Sequence, residues 1–146
     1  MEIDELLKLA IKSEEESYEF YMEAMKISNF SNVRDTLKEL AEEELRHKSI
    51  IESLMRGKID VVENFKDLKL SDHLPKKETI REDSDLQEVL QVAMSRERNE
   101  YEFYINLKNS IKNKDVEKVL DFLANQELQH KAKLENMYDE LVYKEF

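Results

Sequence analysis

Four runs of the chain carry apolar residues that return every three or four positions, the spacing of one buried helical face. One stripe reads Val33, Leu37, Leu40, Glu44, His47, Ile51, Leu54, and an earlier one reads Ile3, Leu7, Ala10, Glu14, Ser17, Tyr21, Ala24, Ser28. The third is Leu86, Leu90, Ala93, Glu97, Glu100, Tyr104, Leu107, Ile111, and the fourth is Val116, Leu120, Leu123, Glu127, His130, Leu134, Met137, Leu141. These patterns predict helices over 3–29, 32–55, 85–112 and 116–143. Asn32 and Asp115 are the expected N-caps of the second and fourth, Ser84 with Gln87 is a capping-box start for the third, and Gly57 ends the second.

The first and last pairs of helices are copies of one unit. Shifting the chain by 83 residues aligns 10–52 with 93–135 without a gap, and the matches include the block YEFY at 18–21 and 101–104, Glu14/Glu97, Glu44/Glu127 and His47/His130. That period is too long for a solenoid and fits a duplicated helical hairpin. The chain therefore divides into hairpin 3–55, crossover linker 56–84 and hairpin 85–143 within one domain. Helices of about 25 residues are about 38 Å long, a length the linker can return along. The expected fold is all-α, a ferritin-like four-helix bundle. Linker positions Ile59, Val62, Phe65 and Leu68 recur every three residues and suggest a short helix packed over the bundle; Pro75 and a surface His73 follow.

Mid-helix, each stripe is interrupted by ionisable residues, and apolar residues resume on both sides. Five carboxylates and two imidazoles would meet in one core, on a stripe that carries no lysine or arginine. A buried, unpaired carboxylate costs several kcal/mol or stays protonated, so cations are the natural resolution. Glu14, Glu44, Glu97 and Glu127 offer four negative charges, enough for two divalent ions. Glu and His three positions apart lie about 60° apart around the helix and about 4.5 Å along it, so both reach one cluster. A Glu on each of two helices with Glu-x-x-His on the other two is the known di-iron carboxylate arrangement. A metal-free bundle with Glu–His hydrogen bonds is the alternative, but it leaves three carboxylates without a partner. Glu15, Glu16, Glu42 and Glu43 fall off the stripe and read as solvated.

Composition narrows the chemistry further. Cysteine is absent, which removes disulfides, thiolate nucleophiles and iron–sulfur ligation. A net charge of −11 argues against nucleic acid as a partner. The acidic start MEIDELLKLA has no signal-peptide pattern and no run approaches a membrane span, so no membrane partner is expected and the cytoplasm is the expected compartment.

These motifs resemble the rubrerythrin family of the ferritin-like superfamily, over both hairpins. The carriers are Glu14–Tyr21 and Glu97–Tyr104 at E-x6-Y spacing, the two Glu-x-x-His pairs, and Glu97–Glu100. The resemblance implies a cofactor of two iron ions, with manganese or zinc able to occupy the same site. Glu44 and Glu127 would bridge, Glu14 and His47 would serve one iron, and Glu97 and His130 the other. Glu100 is similar to the family's additional glutamate, which binds the first iron when oxidised and yields to the histidine on reduction. Bacterioferritins lack that glutamate and bind haem through a methionine where this chain has Leu45. Typical ferritins lack the second Glu-x-x-His and carry a fifth helix for which Phe146 leaves no room. The implied activity is reduction of hydrogen peroxide, with ferritin-like iron oxidation and storage or another dimetal oxidase using dioxygen as alternatives. Two-domain members carry a cysteine-ligated rubredoxin module that this chain lacks, so a separate electron-donor protein or a small reductant is expected, and a homodimer is the expected assembly. Tyr21 and Tyr104 are candidate catalytic residues alongside Glu100. As core tyrosines they would have a satisfied hydroxyl; functionally, they would hydrogen-bond a ligand carboxylate. Tyr18, Tyr101, Phe20 and Phe103 read as packing or interface residues.

Overall fold

Glutamate, lysine and leucine dominate the four runs and all favour helix, with the chain's single glycine and single proline lying outside them. In the computed structural model, which describes residues 3–57 and 85–144, the runs become α1 (Ile3–Ile27), α2 (Ser31–Arg56), α3 (Leu86–Asn109) and α4 (Lys114–Lys144). Pro75, His73 and the Ile59–Leu68 periodicity lie outside the described residues, as does Ser84.

Several expected ends move. Asn32 does not cap α2: Phe30 stands at the N-cap, extended and with no side-chain bond, and Asn32 is already inside the first turn. Asp85 caps α3, its carboxylate accepting from the Glu88 backbone N–H at 2.8 Å. An aspartate at this position satisfies one of the orphan amides of the first turn, and the expected Ser84–Gln87 box falls on a residue outside those described. Asp115 does not cap α4 either. The Asn113 side chain accepts from the N–H groups of Asp115 and Val116, and Asp115 sits in the first turn, where a negative charge suits the helix dipole. Gly57 closes α2 as expected, its N–H bonding Ser53 O.

Packing sets the directions. The start of α1 shares one apolar cluster with Ile51 near the end of α2, the end of α3 and the start of α4. The end of α1 shares a second with the start of α2, the start of α3 and Leu134 of α4. Each helix is therefore antiparallel to its neighbours, and α2 ends at the opposite end of the bundle from where α3 begins, as a long crossover requires. Backbones approach more closely within each hairpin than across the two. The two apolar clusters close the ends of the interior, and between them lies the polar layer. No described helix is long and apolar enough to cross a membrane.

Candidate metal centre

All seven residues expected at the site face this middle layer, and none is more than 2 % exposed: Glu14 on α1, Glu44 and His47 on α2, Glu97 and Glu100 on α3, Glu127 and His130 on α4. Six of them form two overlapping quartets. One is Glu14, Glu44, His47 and Glu127; the other is Glu44, Glu97, Glu127 and His130. Within each quartet one donor atom per residue lies within 4.8 Å of the rest, a separation a single ion can bridge. Glu44 and Glu127 belong to both. The helical hairpins enforce this sharing: their Glu-x-x-His helices, α2 and α4, are neighbours, so each brings its glutamate toward the other's histidine.

The imidazoles stack almost parallel, 5.3 Å between centroids. His47 Nδ1 lies 2.8 Å from Glu127 Oε1 and 3.6 Å from Glu14 Oε2. His130 Nδ1 lies 3.0 Å from Glu44 Oε1, 3.6 Å from Glu97 Oε2 and 3.7 Å from Glu127 Oε2. Both rings thus turn Nδ1 to the cluster.

The tyrosines cross between hairpins. Tyr21 on α1 donates to Glu97 Oε1 at 2.5 Å, and Tyr104 on α3 donates to Glu14 Oε1 at 2.6 Å. Each clamps one oxygen of a carboxylate and leaves the other directed inward. Burial, then the neighbouring carboxylate charges, push both phenols well above their usual range, so they remain donors.

The fifth carboxylate is placed differently. Glu100 belongs to neither quartet. Its Oε1 accepts from Ser17 at 2.5 Å and Ser13 at 3.3 Å, across from α1. Ser17 also accepts from Arg96 at 2.9 Å, and the Arg96 guanidinium lies 5.1 Å from the Phe20 ring centroid. Arg96 is buried, so the interior does hold a cation that the stripe omits. It sits one position before Glu97, on a second buried row Val89, Ala93, Arg96, Glu100, Phe103, Leu107. The matching row in the first copy is Leu6, Ala10, Ser13, Ser17, Phe20, Ala24. Serines in the first copy thus face the long charged pair of the second, and Phe20 and Phe103 are packing residues of this row.

One guanidinium does not balance five carboxylates. Inward-facing atoms Glu14 Oε2, both Glu44 oxygens, Glu97 Oε2, Glu100 Oε2, Glu127 Oε2 and His130 Nδ1 have no well-formed hydrogen bond. Burial first, then the charges of Glu14, Glu100 and Glu97, drive Glu44 well above the usual carboxylate range. Burial and the charges of Glu100, Glu44, Glu97 and Glu14 do the same to Glu127. Burial with Glu14 and Glu97 pushes Glu100 up to about 8. Glu14 moves the other way: burial opposes its charge, but bonds to Glu44 and His47, the His47 charge and the Tyr104 hydroxyl together hold it below the usual value. For His130, burial disfavours the charged ring, and Glu97 with Glu43 outweighs it and raises the value. Converging orphan oxygens and one orphan imidazole nitrogen, with Glu44, Glu100 and Glu127 resisting ionisation unaided, fit two divalent cations with oxygen and nitrogen donors.

Glu43 is the second residue the stripe misses. Instead of being solvated like Glu15 and Glu42, it is half-buried and pairs with Nε2 of His130. Glu16 is likewise half-buried. The signal for Glu43 was its place one residue before Glu44, which turns it across the helix interface toward α4.

The fold recurs in other proteins. Among solved structures, a hypothetical protein from Pyrococcus furiosus matches at 22% identity and a TM-score of 0.74, covering 98% of this chain and 92% of that one. A protein from Thermotoga maritima assigned as ferritin-like diiron-carboxylate matches at 27% identity and a TM-score of 0.72, covering 96% of both chains. No curated protein matches significantly. The rubrerythrin profile matches residues 5–138, nearly the whole chain and all seven buried site residues. This chain belongs to the rubrerythrin family, with a ferritin-like four-helix bundle and a candidate carboxylate–histidine metal centre at its middle.

Proposed function

We propose that the protein is a non-haem diiron peroxidase that reduces hydrogen peroxide to water with electrons from a separate donor. The observation that carries the reading is Glu100, a fifth buried carboxylate set beside two complete quartets, with one oxygen held by Ser13 and Ser17 and the other unpartnered. A site that only binds and releases cations has no need of it. A centre whose positive charge rises on oxidation does, because an extra carboxylate offsets that charge.

Glu44 and Glu127 would be shared between two irons, Glu14 with His47 would complete one, and Glu97 with His130 the other. When bound, a ferrous pair supplies the two electrons that break the O–O bond, and with two protons one peroxide gives two waters. The chain contributes positioning. Tyr21 and Tyr104 fix one oxygen of Glu97 and of Glu14, so each carboxylate presents a single oxygen to the centre. Ser13 and Ser17 hold Glu100 at the edge, with its free oxygen available. The two apolar clusters seal the layer at both ends and exclude bulk water. With no cysteine in the chain, electrons come from a separate protein or a small reductant.

The test is anaerobic. Protein loaded with two equivalents of ferrous iron receives one equivalent of peroxide, and a matched sample receives oxygen. Oxidation should be much faster with peroxide and should consume one peroxide per two irons. Equal or faster oxidation by oxygen would overturn the peroxidase reading.

A further inference from the structure

The duplication makes the two quartets alike in their donors, yet the groups behind the two histidines differ. For Nδ1 of an imidazole to bind a metal it must be free of its proton, and the proton then resides on Nε2. In His130, Nε2 pairs with Glu43 Oε2 across the α2–α4 contact. The other Glu43 oxygen lies 3.6 Å from Arg46 on the helix surface, which steadies the carboxylate from outside. An acceptor on Nε2 selects the tautomer with a bare Nδ1, fixes the ring plane and raises the basicity of the ligating nitrogen.

Position 126 is the counterpart of Glu43 in the second copy, and it is glutamine. Gln126 turns its amide to Gln129 at 3.5 Å rather than to His47. Among the described residues no carboxylate meets Nε2 of His47, whose one close partner is Glu127 at Nδ1, the nitrogen a cation would need. Both rings meet a carboxylate at Nδ1, Glu127 for His47 and Glu44 for His130, so the difference lies behind them: His130 has an outer carboxylate to hold its ring, and His47 has a glutamine in the equivalent place.

We infer that Glu43 is a positioning residue that makes the two halves of the centre unequal: the quartet holding His130 takes the first divalent cation, and the quartet holding His47 takes the second more weakly. This rests on the dimetal reading above and adds an order of filling to it. Outer carboxylate partners of ligating histidines change metal affinity about 10–100-fold, which sets the expected separation.

The probe is Zn2+ titrated into metal-free protein by calorimetry, with the first equivalent located by anomalous diffraction. The wild-type chain should bind two ions in steps at least about tenfold apart, the first seated at His130. Glu43→Gln should weaken the first step about 10–100-fold and leave the second nearly unchanged, with Glu43→Asp recovering part of the loss. Gln126→Glu should tighten the second step and narrow the gap. Unfolding temperatures of the metal-free variants should match wild type, separating this role from a structural one. Two equal steps in the wild type, a first ion at His47, or equal weakening of both steps by Glu43→Gln would overturn the inference. Binding of fewer than two ions would instead overturn the dimetal reading itself.

Discussion

Replacing Glu44 by glutamine should make the metal-free protein more stable while removing its response to metal. Glu44 is fully buried, neither oxygen has a well-formed hydrogen bond, and Glu14, Glu97 and Glu100 all oppose its charge. Without a cation it must take up a proton to stay in the interior. For a carboxyl with an ordinary value near 4.3 in the unfolded chain, holding a proton at pH 7 costs about 1.4 kcal/mol per pH unit, at most about 4 kcal/mol. Glutamine has nearly the same volume, carries no charge, and offers donors to the facing carboxylates. The expected gain is about 1–4 kcal/mol, or roughly 4–15 °C in the unfolding temperature of a chain this size. In the wild type, Zn2+ at a hundred times its dissociation constant should restore about 2.7 kcal/mol, and the variant should show little of that rise. Thermal unfolding by circular dichroism at pH 7, with and without Zn2+, reads both effects. Leu40→Ala serves as the contrast, since it empties a fully buried site and should cost about 2–5 kcal/mol whether metal is present or not. If Glu44→Gln lowered the unfolding temperature of the metal-free protein as Leu40→Ala does, the claim that the cluster strains the fold would be wrong.

The same strain has a pH signature. Glu44, Glu127 and Glu100 are raised, so the folded state holds more protons than the unfolded one above about pH 4.3 and stability falls as pH rises. His130 is also raised, and its contribution is complete below about pH 6.5 and lost above; lowered Glu14 matters only at more acid pH. Metal-free protein should therefore melt at higher temperature at pH 5.5 than at pH 8, and a rise in melting temperature over that interval would contradict the raised carboxylates. Tyr104→Phe leaves Glu14 Oε1 without its donor and should weaken metal binding about 10–100-fold, measured by Zn2+ calorimetry; unchanged affinity would leave Tyr104 a packing residue. Glu100→Ala should keep two-metal binding but slow peroxide turnover under anaerobic stopped flow, and normal turnover would remove Glu100 from the mechanism.

The stripes were legible because a seam that must be buried imposes its period on the residue types, and every one of the seven ionisable residues on it is buried. The crossed tyrosine bonds were not. Tyr21 meets Glu97, and Tyr104 meets Glu14, only because α1 and α3 run antiparallel at this register, which spacing within one helix does not encode. Two helix starts misled for a local reason: Asn32 and Asp115 each stand two residues beyond the position that opens the helix, Phe30 and Asn113, and Asn113 is as good an acceptor as Asp115. Arg96 and Glu43 were missed because each lies one residue off the stripe. The duplication held a clue to Arg96, since its counterpart Ser13 and the counterpart of Glu100, Ser17, are both small, marking a place where the two copies had to differ in volume.

That difference binds the halves to each other. A chain rebuilt from two copies of the second hairpin would set glutamate against glutamate where Ser17 now donates to Glu100, and would bring a second arginine into space that Ser13 leaves open. Two copies of the first hairpin would leave serine facing serine, a gap in the packing and no fifth carboxylate. The symmetry of the cage is thus not recoverable by swapping parts: one hairpin has room for the extra charge only because the other is small where the two meet.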